Sequence, residues 1–137
     1  MTGWSEGSEL EPQEYAIRRA DLIRYAGASG DFNPIHWSDR VAKSVGLPGV
    51  IAHGMLTMAL AGRAVSTWAG GSDAIREFGV RFTKPVIVPD DDEGTVLRVS
   101  GVVSQLRDDG TARIDITATN ADQKVLGAAR AFVRLPA

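Results

Sequence analysis

Gly54-Met-Leu-Thr-Met-Ala-Leu-Ala-Gly-Arg-Ala-Val-Ser-Thr-Trp68 decides the architecture. Met55, Met58, Ala59, Leu60, Gly62, Val65 and Trp68 recur at helical spacing with Ala61 and Ala64 between them, which makes a helix of about four turns. The stretch is too apolar for a surface helix. Its small residues, Ala59, Ala61, Gly62 and Ala64, let strands come close, as a helix enclosed by a curved sheet requires.

Outward from that helix the period changes. Gly70-Gly-Ser-Asp73 stops it, and Phe78, Val80 and Phe82 then alternate with Gly79, Arg81 and Thr83 as a half-buried strand does. Pro85 and Pro89 bracket an edge or bulge, and Asp90 to Gly94 is a polar turn. The runs Thr95–Arg107, Thr111–Thr119 and Val125–Leu135 alternate, broken by Asp108-Asp-Gly110 and Asn120-Ala-Asp-Gln123, and predict an antiparallel meander. Upstream, Glu14 to Arg18 reads as a first strand, and Asp21 begins a short helix that runs to Gly27. Ser38 caps a second short helix, Asp39 to Val45, stopped by Gly46. Residues 1–13, rich in Gly, Ser, Glu and Pro, read as a surface tail ahead of a single domain over 14–137. Strand, short helices, long helix and then strands is an α+β order.

The chemistry-bearing segment is Tyr25-Ala-Gly-Ala-Ser-Gly-Asp-Phe-Asn-Pro-Ile-His-Trp37. Pro34 blocks regular hydrogen bonding and pushes Asn33 toward extended backbone, so Asp31 and His36 flank a bend. A carboxylate beside an imidazole handles protons near neutral pH. The plainer account of the same residues is turn chemistry, with Asp31 capping, Asn33 in an Asx-turn and His36 bonded to backbone.

With 137 residues, 15 basic and 17 acidic side chains and a net charge of −2, the chain has no basic excess for nucleic acid. The absence of cysteine excludes disulfides, thiolate metal sites and a Cys nucleophile. The first residues lack the basic-then-apolar pattern of a secretory signal, and no apolar run is long enough to span a bilayer, so a cytoplasmic location is expected.

Tyr25, Gly30, Asp31, Asn33, Pro34, His36 and Ala42 together resemble the hydratase motif of the MaoC-like (R)-specific enoyl-thioester hydratases and (3R)-hydroxyacyl-thioester dehydratases. Val50-Ile-Ala-His-Gly-Met-Leu56 and Gly79-Val-Arg-Phe-Thr-Lys-Pro-Val86 resemble that family's helix-opening and following strand segments. Within the family, the resemblance is greatest to the catalytic subunits of actinobacterial (3R)-hydroxyacyl-ACP dehydratases. It implies a hot-dog domain, a curved antiparallel sheet around one long helix. It also implies reversible dehydration of (3R)-3-hydroxyacyl thioesters to trans-2-enoyl thioesters in fatty-acid metabolism, with no cofactor and no metal. Asp31 and His36 are then the catalytic pair, and Gly54 supplies an oxyanion-hole amide at the helix start. Asn33, His53 and Met55 are support or substrate contacts, with a structural role favoured for His53. The implied partners are acyl-CoA or acyl-ACP and a second hot-dog subunit, identical or paralogous.

The sequence departs from the family at Pro89-Asp-Asp-Asp-Glu-Gly94, where Pro-Gly-Asp is common. Two other functions stand beside the dehydratase. One is a noncatalytic acyl-binding subunit, disfavoured by the intact Asp-His pair. The other is a hot-dog thioesterase, which needs a carboxylate near the long helix, and no Asp or Glu lies between Val41 and Ser72.

Overall fold

The computed structural model describes residues 3–136. In chain order its elements are β1 (Glu9–Ile17), α1 (Arg19–Ser29), α2 (Asp39–Ser44), α3 (Gly54–Ala69), β2 (Ile75–Phe82), β3 (Thr95–Leu106), β4 (Thr111–Asn120), β5 (Gln123–Lys124) and β6 (Leu126–Arg134). The strands make one antiparallel sheet in the order β1-β3-β4-β6-β2, with β5 on β4. The expected meander is β3, β4 and β6, and β1 and β2 are the edges.

The sheet curves over α3, which turns Thr57, Ala61, Ala64, Val65 and Ala69 inward. These meet Leu97, Val99, Val103, Ile114, Ala131 and Val133 from the central strands in one core. Ala61 and Ala64 thus do what their size predicts. The enclosure is one-sided, however. Met55 is 57% exposed, and it lies with Met58, Ala59 and Gly62 in an open groove beside Tyr25, Ile75 and Phe78.

Two boundaries differ from the sequence expectation. Composition predicts a tail over 1–13, but β1 begins at Glu9. Pairing starts earlier still, with the Gly7 N–H on the Val103 carbonyl at 2.7 Å and the Val103 N–H on that of Ser8 at 2.9 Å. Pro12 is tolerated because β1 is an edge strand and its register slips between Leu10 and Gln13, a bulge that asks nothing of the missing N–H. Met1 and Thr2 lie outside the described residues. Helix α1 passes Gly27 and stops at Gly30, whose φ of 78° is the left-handed turn a helix end favours. At its start, the Arg18 N–H donates to Asp21 Oδ2 at 2.8 Å.

Among the described residues no helix is long and apolar enough to cross a membrane.

Candidate active site

Three short segments are locked together to make the site. The first is the bend after Gly30. Asp31 Oδ1 accepts the Asn33 N–H at 3.1 Å, Asn33 Oδ1 accepts the Ile35 N–H at 3.2 Å, and Pro34–His36 forms a single 3-10 turn. Asn33 therefore does the turn work that its place before Pro34 suggests. The second segment, Val50 to Ala52, pairs with Val86 to Val88 through the Ala52 N–H on the Val86 carbonyl at 2.9 Å and the Val88 N–H on that of Val50 at 3.0 Å. The third is the first turn of α3, which follows directly.

Segments one and two hold each other in both directions. The Ile51 N–H donates to the Ile35 carbonyl at 3.1 Å, and His36 Nδ1–H donates to the Ile51 carbonyl at 2.7 Å. A carbonyl only accepts, so Nδ1 carries the proton and Nε2 of neutral His36 keeps a bare lone pair. That lone pair faces Asp31 Oδ2 at 3.8 Å. The gap is too long for a direct hydrogen bond and suits one bridging water. The His36 side chain is 8% exposed and that of Asp31 is 50% exposed, so the pair sits at a boundary between core and solvent.

Asp39 braces this arrangement from α2. Its Oδ1 accepts the Val50 N–H at 2.9 Å and the Arg19 guanidinium at 2.8 Å, while Arg19 Nε–H reaches the Val88 carbonyl at 2.6 Å. The Val50 amide, followed by Arg19, holds the Asp39 carboxyl below the ordinary carboxylate range.

His36 and Gly54 line one cavity of about 300 Å³, together with Thr57, Phe82, Lys84 and Val86. Gly54 is the first residue of α3, preceded by His53 as cap. The Leu56 and Thr57 N–H groups both turn back to the His53 carbonyl, and that of Gly54 has no partner among the described residues and stands at the positive end of the helix dipole. Asp31 does not line the cavity. Its Oδ2 meets His36, which does, at 3.8 Å. Met55 points into the separate groove along α3, away from His36 and Gly54. Thr57 is a member of the cavity wall that the sequence reading misses. A hydroxyl three residues after Gly54 on an apolar helix was the available signal for Thr57.

His53, a support residue in the sequence reading, meets both Asp31 and His36. It is 1% exposed, and its ring stacks on that of His36 with centroids 3.9 Å apart and planes 23° apart. Tyr25 meets the His53 ring edge-on at 4.8 Å. Nε2–H donates to the Asp31 backbone carbonyl at 3.1 Å, whereas Nδ1 is buried without a partner. An unpaired buried acceptor of this kind costs about 1–3 kcal/mol. Asp31, His36 and His53 each offer a ligand atom within 4.8 Å of the others. Nearly parallel rings at stacking distance have planes that meet far beyond the ~2 Å of a metal–imidazole bond, so both rings cannot ligate one ion.

Burial pushes the His53 imidazole below its ordinary value and the neighbouring His36 ring adds to this, against the opposite pull of the Asp31 carbonyl and carboxylate. In the unfolded chain the ring takes a proton near pH ~6.5, whereas in the folded chain it stays neutral to lower pH. The unfolded state therefore binds more protons in that interval. Stability is untouched by His53 above about pH 6.5 and declines as pH falls below it. Urea unfolding across this range is expected to show that decline, and His53→Leu to flatten it; an unchanged slope in the variant would contradict the assignment.

Residues 4–122 match the MaoC like domain family. The chain belongs to that family. A 73-residue segment is 47% identical to the 3-hydroxyacyl-thioester dehydratase X of Mycobacterium tuberculosis, covering 53% of this chain and 25% of that protein. A MaoC-like dehydratase of known structure superposes with a TM-score of 0.93 at 39% identity, over 97% of this chain and 41% of the other. The R-hydratase PhaJ1 from Pseudomonas aeruginosa superposes with a TM-score of 0.82 at 28% identity, over 97% of this chain and 83% of the other. The MaoC-like chain thus spans well under half the length of the first two. Its architecture is the hot-dog that the sequence led us to expect, an antiparallel sheet curved around α3.

Proposed function

We propose that this MaoC-like domain catalyses the reversible dehydration of (3R)-3-hydroxyacyl thioesters to trans-2-enoyl thioesters. One observation carries the reading: the 3.8 Å gap between Asp31 Oδ2 and His36 Nε2, beside a cavity that also holds the amide of Gly54. In hydration, a water between the pair adds its oxygen to C3 and gives a proton to His36 Nε2. The C2=C3 π bond breaks, and protonated Asp31 delivers a proton to C2. Charge that develops on the thioester oxygen meanwhile falls on the Gly54 N–H. Dehydration runs the same steps backward, from an Asp31 carboxylate and a His36 imidazolium. Both directions need one proton shared by the pair.

The names of the mycobacterial dehydratase and the Pseudomonas R-hydratase support this chemistry. So does the absence of any Asp or Glu on α3, where a thioesterase carboxylate would stand. The test is loss of the conjugated enoyl absorbance on adding the protein to a trans-2-enoyl thioester, offered on CoA and on acyl-carrier protein. No change on either carrier, across short and long acyl chains, would refute the proposal.

The working form is a dimer with an identical or a paralogous hot-dog subunit. Strand β2 is a free sheet edge, and the open groove beside it runs along α3, a combination that association would cover. Mass in solution, measured alone and after coexpression with such a paralogue, is expected to be that of two subunits. A monomer in both cases would overturn this.

A further inference from the structure

We propose that His53 is a positioning residue for the Asp31–His36 pair, holding the Asp31 backbone with Nε2–H and the plane of the His36 ring with its face. The inference rests on the dehydratase reading only for its kinetic consequence; the geometry stands independently. His53 touches both members of the pair, through a 3.1 Å hydrogen bond to the Asp31 carbonyl and a 3.9 Å stack on His36. It does not line the cavity that holds Gly54, so it acts through the other two.

The chemistry of the pocket explains why an imidazole stands there. A leucine would fill the buried slot without stranding Nδ1, yet it has no donor for the Asp31 carbonyl. The titratable groups that face His53 are His36 from the 3-10 turn, Asp31 from the bend and Tyr25 from α1. Two stacked imidazoles are not both imidazolium, and burial holds His53 neutral. The proton that the reaction moves is thereby left to His36 and Asp31. Nδ1 of His53 is bare and Nδ1 of His36 is protonated, so the two rings are locked in opposite tautomers.

Nitrogen–proton correlation spectra of the unaltered protein at neutral pH test the geometry first. His53 is expected as the Nε2–H tautomer and His36 as the Nδ1–H tautomer; a protonated or Nδ1–H His53 overturns the inference. His53→Leu and His53→Gln then separate positioning from mere filling, because the glutamine amide places a donor where Nε2 stands and the leucine does not. His53→Leu is expected to lower kcat about tenfold with KM within about twofold, and His53→Gln to recover most of the loss. The Asn33 amide signal, which reports its bond to Asp31 Oδ1, is expected to move in the leucine variant and to return in the glutamine variant. Equal kcat in the two variants, or a loss carried by KM, overturns the positioning role. Should the unaltered protein act on no enoyl thioester, the function falls, while the tautomers and the Asn33 signal still decide the inference.

Discussion

Asp31→Asn and His36→Asn are each expected to lower kcat/KM for enoyl-thioester hydration by about 10²–10⁴-fold, the usual worth of a positioned acid or base. Both replacements keep the local hydrogen bonds. An asparagine at position 31 still offers an oxygen to the Asn33 amide, and an asparagine at position 36 keeps an amide donor where Nδ1 meets the Ile51 carbonyl. Loss of activity with an unchanged thermal midpoint therefore isolates the chemistry from the fold. Because the two groups share one proton and one water, the double variant is expected to fall little below the weaker single one. Strict additivity of the two losses would mean that the side chains act at separate steps. Full activity in both single variants would remove the pair from the mechanism, leaving an acyl-binding domain whose chemistry lies in a partner.

Asp31 and His36 stand out in the sequence because the bend between them is local: Gly30 and Pro34 set the backbone, and Asn33 closes the turn within two residues. Helix α3 is equally plain, since its inward face and its stop at Gly70 are written in adjacent residues. What the sequence hides depends on pairing between distant segments. His53 lies 17 positions after His36, and nothing in that spacing places the rings face to face. The stack exists only because Val50–Ala52 is clamped to Val86–Val88 and Ile51 is bonded to both Ile35 and His36. The start of β1 is hidden for another reason. Pro12 and the acidic residues around it look like a frayed tail, and only the edge position and bulge of that strand make them acceptable. The one-sided enclosure of α3 was likewise out of reach, because an open groove and a closed core are lined by the same kinds of apolar residue.

Gly54→Pro is expected to cost about 10²–10³-fold in kcat relative to Gly54→Ala, with little difference in stability between the two. Proline deletes the one group proposed to bind the thioester oxygen, the N–H at the first position of α3, and that position is where a helix tolerates proline best. His53, with φ −59° and ψ 133°, already has the extended backbone that a following proline demands. Alanine is the necessary control. Both variants add a Cβ, which would stand 3.2 Å from the Phe82 ring, and Phe82 is 52% exposed and free to yield. The alanine variant carries the Cβ contact with Phe82 and keeps the donor, so the difference between the two reads the loss of the N–H together with the ring Cδ that takes its place. That difference belongs in kcat, because the bond strengthens only as charge gathers on the oxygen in the transition state. Equal turnover by the proline and alanine variants would show that the oxygen is stabilised elsewhere, and Thr57, buried one turn along the same cavity wall, would be the side chain to test next.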